Sequence, residues 1–188
     1  MKADDLLEIL HVAERLKCNT RHSYTSTGRH ESVAEHSWRI ALMAMLVQDE
    51  FPNADIKKVM EMCLIHDLGE AFTGDIPTFE KNSTDEKLEE KLYLDWVEHF
   101  PSPTREHWMN LLLEMKKLET EEAKIYKALD KMEAVIQHNE ADISTWLPLE
   151  YELQLTYGKE QVEFSSYMKT LKAANDACTK AKIQDAEE

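Results

Sequence analysis

Apolar side chains recur at helical spacing along most of the chain. Leu6, Leu7, Leu10, Val12, Ala13 and Leu16 predict an amphipathic helix over residues 4–17. Val33, Trp38, Ile40, Leu42, Met43, Met45, Leu46 and Val47 predict a second, running to about Asp49. It is apolar on nearly every face, which places it in the middle of a domain. Pro52 breaks it, and Ile56, Val59, Met60, Cys63 and Leu64 mark a third that ends at His66. Further periodic runs follow to about Phe100, through Trp108 to Leu118, and along the stripe Ile125, Leu129, Met132 and Ile136. After His138 the pattern weakens, and Val162, Phe164, Met168, Leu171 and Ala174 predict a last helix over residues 159–179. The polar residues 180–188 are expected to fray.

Start signals sharpen several of these boundaries. Ser32-Val33-Ala34-Glu35 reads as a capping box, in which the Ser hydroxyl takes the N3 amide and the Glu reaches back. Ser83-Thr84-Asp85-Glu86 reads as another, Ser102-Pro103 as a cap followed by Pro at the first helical position, and Thr120 as a further cap. No repeat or linker interrupts the series. The expected fold is therefore all-α, a single helical bundle over residues 1–188 with its core at about 4–140.

Composition agrees, with only 4 Gly and 5 Pro in 188 residues. A net charge of −15 argues against a nucleic acid polymer as partner, because phosphate neutralisation needs a basic face. Cys18, Cys63 and Cys178 form no C-x-x-C motif and read as reduced thiols, which points to a cytoplasmic protein. No apolar run of eighteen residues predicts a membrane span. Against this acidic background, residues 15–30 carry Arg15, Lys17, Arg21 and Arg29 and no acidic residue. The segment is either an anion-binding element or a solvated loop.

Polar chemistry concentrates at the end of the third helix. His66-Asp67-Leu68-Gly69-Glu70 closes an apolar run and continues into Thr73-Gly74-Asp75-Ile76-Pro77-Thr78, where the glycines allow the backbone to bend. An imidazole beside a carboxylate is a ready pair of ligands for Mn, Fe, Co, Ni or Zn. His36, in the first turn of the apolar second helix, is either a hydrogen-bonded core residue or a ligand. Asp130 lies beside the apolar stripe of its helix, where it either pairs with a lysine or faces the site. His36, His66, Asp67 and Asp130 together make a two-histidine, two-carboxylate set that balances a dication and leaves coordination positions open.

These residues carry a family resemblance. Leu16-Lys17, Arg21, Arg29, the run Glu31 to Ser37, His66-Asp67 with Glu70, the turn Thr73 to Thr78 and Lys127-Ala128-Leu129-Asp130 resemble the HD-domain 5′-deoxynucleotidases, within the HD superfamily of phosphohydrolases. The resemblance spans about residues 5–140 and implies a helical HD domain, a nucleotide as small-molecule substrate and a homodimer. It also implies one divalent ion, Co or Mn or a similar metal with Mg, Zn, Fe and Ni as alternatives, on His36, His66, Asp67 and Asp130. By the same resemblance Arg21 orients the substrate phosphate, Glu70 and Asp75 are catalytic, and Asp75, Ile76, Pro77 and Thr78 contact the nucleotide. His36, Asp67 and His22 complete the expected substrate-binding set.

The implied reaction is metal-assisted hydrolysis of a phosphomonoester, with Glu70 positioning or deprotonating the water and Asp75 serving the sugar or the leaving oxygen. His22 departs from the pattern, because the familiar bacterial members carry Trp directly after the arginine and use its bulk against a 2′-hydroxyl. Weaker selection for deoxyribose is therefore expected. A rival two-metal HD oxygenase or phosphodiesterase needs two more histidines, for which His99 and His107 are the candidates. A second rival is a non-catalytic nucleotide-binding module. His11, His30 and His138 have no evident partner, and Trp38, Trp96, Trp108 and Trp146 read as core or interface groups.

Overall fold

The computed structural model describes residues 1–187. Helix α1 (Ala3–Ala13) leads through a 3₁₀ turn at Glu14–Lys17 into a ribbon of β1 (Thr20–Tyr24) and β2 (His30–Ser32). The strands run antiparallel, with Thr20 opposite Ser32, Tyr24 opposite His30 and an irregularity between. Then come α2 (Val33–Leu46), α3 (Ile56–Ile65), the single turn α4 (Glu70–Thr73), α5 (Ser83–Val97), α6 (Thr104–Lys117) and α7 (Glu121–Glu140). Helices α8 (Glu150–Thr156) and α9 (Ser166–Glu187) finish the chain. No helix among the described residues is long and apolar enough to cross a membrane.

Helices α2, α3 and α7 pack on one another and form the centre. Ile40 and Ala44 from α2, Val59 and Met62 from α3, and Leu129 and Met132 from α7 are all fully buried there. Each such aliphatic side chain contributes about 1.5–3 kcal/mol of transfer free energy, so this contact dominates the stability of the fold. Every predicted ligand sits on or at the end of one of these three helices, so the core that stabilises the domain also positions the site.

Local chemistry sets the helix starts. Ser32 Oγ accepts from Glu35 N at 3.2 Å while Glu35 Oε2 takes Ser32 N at 2.9 Å, the expected capping box. Thr120 Oγ1 caps α7 through Ala123 N at 3.2 Å. The box of α5 lies one residue earlier than expected. Asn82 rather than Ser83 is the cap, exchanging bonds with Asp85, because an Asn oxygen reaches the free amides as well as a Ser does. Pro103 itself is the N-cap of α6, which starts at Thr104, one residue later than Ser102-Pro103 predicts.

Other expectations need correction. The basic segment is a hairpin, so the domain is helical apart from this ribbon. Helix α2 stops at Leu46 and gives way to a 3₁₀ turn, and α5 stops at Val97. Helix α9 starts at Ser166 rather than Lys159, because Ser165 Oγ accepts Met168 N at 3.3 Å and caps it there. The expected frayed tail is helical to Glu187, where Lys and Ala favour helix and Thr179 is buried against α7; Glu188 lies outside the described residues. Of the two readings given for Trp38, core or interface, its 60% exposure leaves the interface one.

Candidate active site

The capping box fixes the register of α2 and puts His36 in its first turn, where the imidazole is fully buried. Helix α3 is capped by Asp55 and ends with His66 still in helical conformation. Tyr93 OH donates to Ile65 O at 2.7 Å and pins that end to α5. Gly69 allows the next turn to press on α5, since a Cβ there would lie 3.0 Å from Glu89 Cγ. Gly74 adopts φ +77°, a left-handed conformation open to glycine, and turns the chain into Asp75. Asn19 Nδ2 donates to Glu70 O at 2.6 Å, tying α4 to the segment before β1.

His36, His66, Asp67 and Asp130 meet. Asp67 Oδ2 lies 3.0 Å from His66 Nε2 and 3.8 Å from His36 Nε2. Asp130 Oδ1 lies 3.4 Å from His36 Nε2 and 3.8 Å from His66 Nε2. Each imidazole is anchored from behind: His66 Nδ1 donates to Cys63 O at 2.8 Å, and His36 Nδ1 donates to Glu133. Those bonds place the ring hydrogen on Nδ1 and leave Nε2 as a lone pair. Neither Nε2 makes a hydrogen bond, although both are buried.

With both imidazoles neutral, two lone pairs and two carboxylate oxygens face one another with no donor between them. Such a group repels itself unless a cation joins it. Metal bonds of about 2.1 Å set neighbouring ligand atoms roughly 3.0–3.4 Å apart; the His66–Asp67 and His36–Asp130 pairs lie at that spacing, His36, His66 and Asp67 all come within 4.8 Å of one another, and the donor set fits a divalent ion in its chemistry.

The charges around the cluster are uneven. Burial alone would raise Asp67, but His66 and then His36 hold it well below the usual carboxylate range. Asp130 is held low in the same way, with Lys127 and Lys131 outweighing burial. Its Oδ2 accepts from Lys127 Nζ at 2.9 Å while Oδ1 faces the histidines, so both readings of this residue hold at once. Burial and Arg21 push His36 down, yet Glu133 and Asp130 prevail and lift it to about 9, so without a metal Nε2 takes up a proton that a bound ion would displace.

Arg21 is joined to this cluster through Glu133. One oxygen, Glu133 Oε2, receives His36 Nδ1 and lies 3.4 Å from Arg21 NH1, which is also 3.3 Å from Glu31 Oε2. Burial would lower the proton affinity of the guanidinium, but Glu133 and Glu31 raise it, so Arg21 is a fixed cation. The rest of the basic segment does not join it. Arg29 pairs with Glu35 at the surface and Arg15 reaches Ala71 O, so Arg21 alone among these cations serves the site.

Glu133 was not foreseen. It sits one helical turn after Asp130 on the buried face of α7, and a Glu in register with Leu129 and Met132 is the signal that could have found it.

Arg21 and His22, the turn Asp75 to Phe79, and α8 enclose a pocket of about 80 Å³. Ile76, Pro77 and Thr78 line it. His22 Nε2 lies 3.3 Å from Glu150 Oε1, which also pairs with His138 Nε2 at 2.9 Å. His138 therefore has a partner, brought from α8, and His30 has one in Arg21 O at 2.9 Å. Glu70 is buried with Oε2 unpartnered. Burial first, then the negative charge of Asp67 and Asp75, pushes its carboxyl up to about 10. Burial raises Asp75 as well, against the pull of Arg21. His99 and His107 are exposed and bound to Asp95 O and Glu61, so these two histidines do not join the ligand cluster.

Comparison with known proteins agrees with this geometry. Residues 13–172 match the HD domain family. The chain is 32% identical over 142 residues to the 5′-deoxynucleotidase HDDC2 of Homo sapiens, covering 73% of this chain and 69% of that protein. It is 32% identical over 139 residues to the protein of the same name from Mus musculus, covering 72% and 69%. The crystal structure of a predicted metal-dependent phosphohydrolase from Magnetospirillum magnetotacticum superposes with a TM-score of 0.80 at 26% identity, over 96% of this chain and 92% of that one. Architecture, ligand cluster and sequence agree, and the chain belongs to the HD domain family.

Proposed function

We propose that this chain is a metal-dependent 5′-nucleotidase that cleaves nucleoside 5′-monophosphates, deoxynucleotides among them, to nucleoside and phosphate. The observation that carries the reading is the donor-free cluster of His36, His66, Asp67 and Asp130 beside the buried cation Arg21. The names of the human and mouse relatives, 5′-deoxynucleotidase, support the substrate class. The four residues would hold one divalent ion, with Co and Mn the first choices and Mg, Zn, Fe and Ni the alternatives. Bound there, the ion supplies a Lewis acid for a phosphoryl oxygen and lowers the pKa of water.

The protein's own groups divide the remaining work. Glu31 and Glu133 hold Arg21 through NH1, which leaves Nε and NH2 to donate in parallel to phosphate oxygens. Hydrolysis makes a bond from water oxygen to phosphorus, breaks the bond to the 5′-oxygen, and returns a proton to that oxygen. Glu70 is the group for the water proton, because its raised proton affinity makes it a stronger base once positive charge beside Asp67 favours its ionised form. Asp75 lies on the pocket with Arg21 and is assigned to the sugar or the leaving oxygen. The exposed Leu7, Leu46 and Trp38 support a homodimer, and three free thiols suit the cytoplasm.

A screen of nucleoside 5′-monophosphates, deoxy and ribo, against Mg, Mn, Co and Zn tests the reading. Phosphate release with one or more of these metals, at one bound ion per chain, is the expected result. Tight nucleotide binding without phosphate release under every metal would replace the enzyme with a binding module.

A further inference from the structure

The pocket that begins at Arg21 has a second end, built by α8. Gln154, a residue only 3% exposed, lines it. The polar groups around it are satisfied by one another. Glu150 Oε1 takes His138 Nε2 at 2.9 Å and faces His22 Nε2 at 3.3 Å, while Oε2 accepts Leu147 N at 2.7 Å. Tyr157 OH accepts from Lys131 Nζ at 2.7 Å and bonds Thr78 Oγ1 at 3.1 Å. Gln154 and Asp75 both line the pocket without a side-chain hydrogen bond among the described residues, and of the two Gln154 is the neutral group that can both donate and accept. The amide is not sealed from solvent, so it opens onto the pocket, where a ligand group can take the place of water.

The surroundings of that amide suit a flat heterocycle. Ile76, Pro77 and Phe79 supply apolar walls from the loop, and Leu153 and Ala134 supply them from the helices. Arg21 and Gln154 line the same pocket, so a nucleotide whose phosphate lies at Arg21 would present its base toward Gln154. The base then meets apolar faces and one open amide.

We infer that Gln154 reads the edge of the substrate's nucleobase and is a specificity-determining residue of this enzyme, an inference that rests on the nucleotidase reading. An amide presents a donor and an acceptor side by side, which matches an acceptor and donor pair such as N7 and N6 of adenine. A sugar phosphate without a base leaves the amide unpaired. The enzyme therefore prefers nucleoside monophosphates to 2-deoxyribose 5-phosphate, and Gln154 carries much of that preference.

The test compares kcat/KM of the metal-loaded enzyme for dAMP, dGMP and 2-deoxyribose 5-phosphate, in the native protein, Gln154→Leu and Gln154→Glu. Ratios between substrates do not depend on the fraction of enzyme folded. In Gln154→Leu the ratio of dAMP to the base-free phosphate is expected to fall about tenfold, the scale of a lost bidentate base contact. Gln154→Glu has nearly the same shape but only accepts, and guanine offers two donors at N1 and N2. That variant is expected to shift preference from dAMP toward dGMP by about tenfold. Substrate ratios unchanged in both variants would overturn the assignment while leaving the nucleotidase intact. A native enzyme that cleaves no nucleotide faster than 2-deoxyribose 5-phosphate would overturn the nucleotidase reading, and this inference with it.

Discussion

Glu133 holds the Nδ1 hydrogen of His36 with the same carboxylate oxygen that lies 3.4 Å from Arg21. One side chain therefore orients a candidate metal ligand and the candidate phosphate ligand together. Its other oxygen, Oε1, makes no hydrogen bond among the described residues but lies 3.6 Å from Arg39 Nε, so a second arginine also faces this carboxylate.

Glu133→Gln keeps the shape and removes the charge that makes His36 a stronger donor to a metal. Loss of such an outer partner weakens metal affinity about 10- to 100-fold, and that is the expected drop in a Co or Mn titration of the variant. Native affinity in Glu133→Gln would remove the residue from the metal site.

Arg21→Lys separates charge from geometry. The ammonium still offsets Glu31 and Glu133, but it cannot donate in a parallel pair. A fall in kcat/KM on the order of 10²-fold is expected, with metal content unchanged. Arg21→Ala is a poorer probe, because stranding two buried carboxylates costs about 3–5 kcal/mol and unfolds part of the sample. Circular dichroism beside the kinetics distinguishes the two variants.

Much of this site was legible because residue type coincided with local grammar. The Ser32 to Glu35 capping box announced a helix start, His36 lay one position beyond it, and an apolar run delivered His66 and Asp67 at its end. Glu133 stayed hidden because a Glu on an amphipathic helix resembles every solvated Glu until its neighbours are known. The ribbon was invisible for a related reason. Thr20 to Tyr24 has no alternation of apolar residues, and its strand is held by distant partners such as Gln137 Nε2, which donates to Tyr24 O at 2.7 Å. Glu150 and Gln154 reach the pocket from α8, beyond the reach of any local pattern.

Glu70 gives a stability prediction with a definite sign. Its folded pKa is about 10 against an ordinary 4.5, so between those values the native state binds a proton that the unfolded chain releases. Stability therefore falls as pH rises from about 5 to 10. Glu70→Gln removes the titration and, in chelator at pH 8, should stabilise the protein by at least about 1 kcal/mol, or roughly 2–4 °C in Tm. The same variant should lose most of its turnover with metal supplied. Thermal melts across pH that superimpose for both proteins would show that Glu70 does not carry the buried proton.

His22 gives a prediction about the sugar. Its Nε2 faces Glu150 Oε1 at 3.3 Å and its ring meets Phe79 edge-on at 5.5 Å, so the imidazole is held to one wall of the pocket. An imidazole occupies less space than an indole, and Nδ1 remains free to hydrogen-bond a hydroxyl. The native enzyme should therefore turn over AMP and dAMP with kcat/KM values within about tenfold of each other, since one added hydroxyl is weakly rejected by a site with room for it. His22→Trp fills that room and removes the polar edge. Discrimination against AMP should then rise by about tenfold or more, with dAMP turnover the less affected. Strict rejection of AMP by the native enzyme would place sugar selection elsewhere in the pocket, and the AMP to dAMP ratio measured on the two proteins decides it.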